Sequence, residues 1–126
     1  WIASERLIPA LPSGREPAEM LVACDAGTLT VRFVFAGQQV SATGDFGPIT
    51  FQVDQHATTV RTLTASEDNL ALGYWTTGES ARFLDSLRGG TNLKVRMTPV
   101  RMRSLTVDFR IAEHAEAFAA MRDNCR

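Results

Sequence analysis

"LTVRFVFAG", residues 29–37, decides how this chain folds. Leu29, Val31, Phe33 and Phe35 fall on one side of an extended backbone, and Thr30, Arg32 and Val34 on the other. Successive strand side chains point to opposite faces, so this period of two marks a half-buried β-strand. An amphipathic helix would repeat every three or four residues instead. Just upstream, "EMLVACD" (19–25) is an apolar run of strand length, and Gly27 in "AGT" turns the two segments into a hairpin. Downstream, "GPITFQVDQ" (47–55) alternates Ile49, Phe51 and Val53 with Thr50 and Gln52. "TTVRTLTAS" (58–66) is rich in β-branched residues. "LALGYW" (70–75) reads as a short strand whose Gly73 marks a bulge or a close backbone approach.

The period changes at "TTGESARFLDSLRGG" (76–90). Phe83, Leu84 and Leu87 form a helical apolar face, and Thr77 or Gly78 is expected to cap its start. Glu79 suits the first turn, and Gly89-Gly90 supply a stop. "NLKVRMTPV" and "RMRSLTVDFRI" return to strand period, with Leu93, Val95 and Met97 on one face of the first and Leu105, Val107 and Phe109 on one face of the second. "AEHAEAFAAMRDNCR" (112–126) is alanine-rich and helical, with Ala115, Phe118, Ala119 and Arg122 along one side. Residues 9–18 hold three prolines and a glycine and read as an irregular lead-in, with Trp1 as a plug over the sheet. The predicted order is five strands, a helix, two strands and a helix, in one domain spanning residues 1–126. The expected class is α+β: an antiparallel β-sheet or sandwich with one short internal helix and a C-terminal helix.

Composition narrows the setting. The chain is 44% hydrophobic, too apolar for a disordered segment. No apolar run approaches the ~20 residues that span a bilayer, so no transmembrane segment is expected. A net charge of −1 and a pI near 6.1 argue against a nucleic-acid binder. The start "WIASERL", without Met, suits a processed or trimmed chain.

Two cysteines, Cys24 and Cys125, allow one pairing. A bond between them would close a loop of about 100 residues, worth up to ~4.7 kcal/mol in the chain-entropy model. It would clip the last helix to the sheet and place the protein in an oxidising compartment, periplasmic or secreted. The alternative is two separate buried thiols. Their spacing fits no zinc or redox motif.

Chemistry-bearing motifs are few. His56 and His114 have no ligand partner at metal spacing and read as surface residues. No nucleophile elbow, phosphate loop, zinc-protease helix or dinucleotide fingerprint occurs. Ser66, Glu67, Asp68 and Glu79 read as turn and cap residues, and the glycines and Pro48 of "GDFGP" (44–48) as a turn. The sequence therefore points to no catalysis, no cofactor and no metal.

Charge is more suggestive. Residues 91–110 carry Lys94, Arg96, Arg101, Arg103 and Arg110 against Asp108 alone. Lys94 and Arg96 share the face opposite Leu93, Val95 and Met97, and Arg103 or Arg110 would extend the stripe if the two strands pair. Such a surface suits an acidic protein partner, a phosphate or a glycan carboxylate, or else simply guards a strand edge. Tyr74 and Trp75 are candidates to stack on a small ligand or glycan, although their apolar strand also suits a core position.

Segments of the chain resemble the TagO/VasI-type accessory proteins of bacterial type VI secretion systems. The likeness lies mainly in "SARFLDSLRGGTNLKVRMTPV" and "LTVDFRIAEHAEAFAAMRDNC", with weaker echoes in Trp1, "LVAC", "TLTVRF", "ITFQVD" and "TLTASED". The resemblance implies a periplasmic or lipoprotein-like location and a non-enzymatic accessory role. The expected function is protein binding in the envelope or outside the cell, through Lys94, Arg96, Arg101 and Arg103. An inhibitor or immunity-type protein that plugs a periplasmic hydrolase with "TPVRMR", and a small-ligand or glycan module, are the alternatives.

Overall fold

The computed structural model describes residues 1–125. Eight strands, β1 (Ile2–Pro9), β2 (Arg15–Asp25), β3 (Thr28–Val34), β4 (Phe46–Val53), β5 (Thr59–Ala65), β6 (Ala71–Tyr74), β7 (Asn92–Met97) and β8 (Leu105–Arg110), form one antiparallel sheet. Their order is β1-β2-β3-β6-β5-β4-β7-β8. Helix α1 (Thr77–Ser86) follows β6, and helix α2 (Ala115–Asn124) follows β8 after a short 3-10 turn.

The sheet curls until β1 and β8 come together, where Arg110 forms an ion pair with Glu5. The result is a nearly closed barrel, which corrects the sandwich expectation. Alternation tells which residues face inward, but one curled sheet and two stacked sheets require the same alternation. Most of the predicted inward set is buried, namely Leu29, Val31 and Phe33 of β3, Ile49 and Phe51 of β4, Leu93 and Val95 of β7, and Val107 and Phe109 of β8, while Val53 and Leu105 are half-buried.

The lead-in is also corrected. Residues 9–18 are not an irregular crossing but the hairpin between β1 and β2, so an eighth strand precedes the seven expected. Pro17 lies in the part of β2 that pairs with β1 alone, where its missing N–H leaves no β3 partner unsatisfied. β1 bulges between Ala3 and Leu7, and buried Ser4 fills the gap: its hydroxyl donates to the Arg6 carbonyl and accepts from the Ala18 N–H at 2.9 Å. Trp1 does not plug the sheet. It is 74% exposed, and Ile2 beside it is buried instead.

The β2–β3 hairpin turns on Ala26-Gly27, both at positive φ (50° and 82°), a turn twisted to suit the strands it joins. Gly73 of β6 pairs with Arg32 of β3 at close range, and a Cβ there would lie 2.6 Å from the Val31 carbonyl oxygen. The anticipated close approach is real.

The barrel has two distinct ends. At one, α1 and α2 pack, and the Cys24–Cys125 disulfide ties the end of β2 to the end of α2 across a separation of 101 residues. Thr76, not Thr77 or Gly78, caps α1, its hydroxyl accepting from the Glu79 N–H. Thr77 instead accepts from the Leu29 N–H at 3.1 Å and so ties the helix to β3. α2 lies across this end with Phe118 and Met121 half-buried and no fully buried residue of its own. At the other end the segment 35–45 closes the barrel. Gln38 donates to the Pro9 carbonyl at 2.9 Å, and Asn69 exchanges side-chain hydrogen bonds with the backbone of Ser41 at 3.1 and 2.8 Å.

Candidate functional site

β7 lies between β4 and β8, so its outward residues sit in the middle of a three-stranded patch. Lys94 is flanked by Gln52 and Asp108, and Arg96 by Thr50 and Thr106. Both cations are exposed, while Leu93, Val95 and Met97 between them are buried. Asp108 accepts from the Asn92 side chain at 2.8 Å. The β7–β8 turn is pinned at its base by a 2.7 Å hydrogen bond between the Thr98 and Ser104 hydroxyls, and by the Val100 N–H donating to Gln39. Pro99 is buried beneath it. Arg101 adopts φ 62°, and both Arg101 and Arg103 are exposed. Among the described residues, none of these four cations forms an ion pair.

Arg110, opposite Asn92 on the same outward row, continues the stripe, but as a paired charge. It sits at the far end of β8, bound to Glu5, whose hydrogen bond and charge hold its guanidinium proton more firmly than usual. Arg122 behaves alike: Asp85 of α1, 2.8 Å away, raises its affinity for its proton and joins the two helices. These arginines serve the architecture.

A second site lies at the helix end of the barrel, between α1 and the β4–β5 hairpin. There a cavity of about 550 Å³ opens over a floor that includes Phe51, Leu63, Phe83 and Leu93. Phe83 packs against Phe51 and Tyr74 at ring-centroid distances of 4.9 and 5.1 Å. Tyr74 lines this cavity and also a smaller hollow of about 390 Å³ beside it, which Trp75 shares. Neither is the core residue its apolar strand suggested. Both are half-buried, and Trp75 donates from Nε1 to the Thr64 carbonyl at 2.9 Å. Burial pushes the Tyr74 phenol above its ordinary pKa, and the nearby Arg61 charge pulls against that.

Arg61 and Arg82 at this cavity were not singled out by sequence reasoning. The signal for Arg61 was present, since it is in phase with Leu63 and therefore points to the inner face. Arg82 carries no such signal, because an exposed helical arginine is ordinary.

The remaining residues of interest play local parts. The Ser66 hydroxyl donates to Asp68 at 2.6 Å and, with the Leu70 N–H, holds that carboxyl below its usual pKa. Glu79 accepts from the Thr76 hydroxyl at 2.9 Å. His56 is exposed at the cavity rim, whereas His114 is half-buried and stacks on Phe118, with ring centroids 6.1 Å apart, so it is not the plain surface residue expected. Among the described residues, no helix is long and apolar enough to cross a membrane.

No protein-family model and no curated protein matches the chain. Among solved structures, the crystal structure of invasion associated protein B from Bartonella henselae is similar, with a TM-score of 0.52 at 15% identity over 92% of this chain and 80% of that one. That likeness is one of fold.

Proposed function

We propose that this is a non-catalytic binding domain of an oxidising compartment, periplasmic or secreted, which docks an acidic protein through the outer face of β7 and the turn that follows. The observation that carries the reading is the set of four exposed cations, Lys94, Arg96, Arg101 and Arg103, held on a strand and a pinned turn without a carboxylate partner among the described residues. Unpaired cations on a preformed surface keep their hydrogen-bonding capacity for an incoming carboxylate. The disulfide supports the compartment, since such bonds persist where thiols are not kept reduced. The sequence resemblance suggests a component of a type VI secretion machine as the partner.

Calorimetric titration with poly-L-glutamate at low salt tests the surface. The wild-type chain should bind, and K94Q/R96Q/R101Q/R103Q should bind at least tenfold more weakly. Equal affinity of the two proteins would remove the β7 face from the interface.

A further inference from the structure

The wall of the barrel is incomplete beside α1. β5 and β6 pair only at Thr64–Gly73 and Ala65–Leu72, so the first half of β5 has β4 on one side and no strand on the other. Arg61 lies in this half. Its register partner is Ile49, a buried inward residue, and the next inward residue along β5 is Leu63, also buried. An arginine therefore occupies an inner-face position of the barrel, at the mouth of the 550 Å³ cavity. Burying a cation without a counter-charge is costly, and here the cost is avoided only because the cavity stays open to water.

Arg61 has no carboxylate partner among the described residues, and its one hydrogen bond goes to the neighbouring Val60 carbonyl at 3.3 Å. Arg82 of α1 lines the same cavity, equally without an ion pair. Glu79, the acid at this mouth, accepts a hydrogen bond from its own cap residue Thr76. The Tyr74 hydroxyl has no hydrogen-bond partner among the described residues, although its ring packs on Phe83. The site thus offers an aromatic and aliphatic floor, one free phenol and two free guanidinium groups, in a volume within the ~300–1,000 Å³ common for small-molecule sites.

We propose that this cavity binds a small amphipathic anion, with an alkyl or aromatic body against Phe51, Tyr74 and Phe83 and a carboxylate-like head held by Arg61 and Arg82. Arginine suits this role because its planar fork presents paired donors to a carboxylate. The site is separate from the β7 face and does not depend on the reading given to it.

The test is calorimetric titration of the disulfide-intact chain with decanoate below its micelle concentration. Decyltrimethylammonium carries the same alkyl body with a cationic head, and acetate carries the head alone. Decanoate should saturate at one molecule per chain, and the other two should give no saturable heat. R61Q/R82Q, both changes at exposed positions, should weaken decanoate at least tenfold, and K94Q/R96Q should leave it unchanged. Absence of decanoate binding, equal binding of the cationic probe, or an affinity indifferent to R61Q/R82Q would overturn the proposal. Arg61 would then be an inward charge that only guards an unpaired strand segment.

Discussion

The two ends of the barrel are closed by different physical means. At the helix end, closure is made of parts distant in sequence: α1 and α2 meet through Asp85 and Arg122, and a disulfide ties α2 to β2. At the other end, closure is polar and backbone-based. The segment 35–45 is laid across the opening by hydrogen bonds from Gln38 and Asn69, with Val40 donating from its backbone to the Asn69 carbonyl. A seal of short hydrogen-bonded loops leaves little room inside. The 550 Å³ cavity lies at the helix end, between α1 and the β4–β5 hairpin. It thus sits beside the helical closure, and the exposed turn of arginines beside the loop closure.

The largest expected effect comes from cutting the covalent tie. C24S/C125S should lose about 3–5 kcal/mol of unfolding free energy by denaturant titration, because the bond restricts a very long loop of the unfolded chain. Since α2 buries none of its residues fully, its amides should lose hydrogen-exchange protection before those of the strands do. Uniform loss of protection would mean that α2 and the barrel unfold as one unit, which would break the contrast between the ends.

A middle-sized effect belongs to the loop end. N69A removes both hydrogen bonds to Ser41 and places alanine at φ 60°, so a loss of about 2–3 kcal/mol is expected. N69G keeps the backbone geometry accessible and isolates the side-chain bonds. Equal losses for the two variants would assign the whole effect to those bonds.

The smallest effect sharpens the account of the cavity. Tyr74 is the only tyrosine, so tyrosinate absorbance reports it alone. Its midpoint should lie above 10.0, because burial disfavours the phenolate. The linked stability change has a definite sign. The unfolded chain releases this proton first as pH rises past 10.0, so stability should decline from there until the folded pKa is passed, and Y74F should abolish that part of the decline. A midpoint at or below 10.0 would show that the ring is more open to water or to Arg61 than its packing on Phe83 implies.

Much of this architecture was legible in the residues. Periodicity gave β3, β4, β7, β8 and α1 with their inward faces, since a half-buried strand or helix must repeat its apolar residues with its own geometry. By contrast, β2, β5, β6 and α2 were read from apolar runs and composition, and Ala115 and Ala119 of α2 are exposed. β1 escaped because prolines dominate the reading of 9–18. Pro17 is tolerated there only because β3 does not reach that part of β2, which is a matter of register. The exposed cations of β7 were visible as a pattern. The cavity was not, because Arg61, Tyr74 and Phe83 come from three separate elements.

The sequence by itself determined the alternating inward residues of β3, β4, β7 and β8 and the places where strand gives way to helix. Those are local properties, set by backbone geometry and the removal of apolar side chains from water. Only the tertiary structure decided that one sheet curls into a barrel, that Cys24 meets Cys125, and that Arg110 is bound to Glu5 while Arg61 stands unpaired at a cavity mouth. These depend on strand order, register and the β1 bulge, which set the distances between residues far apart in the chain and are encoded in no single segment of it.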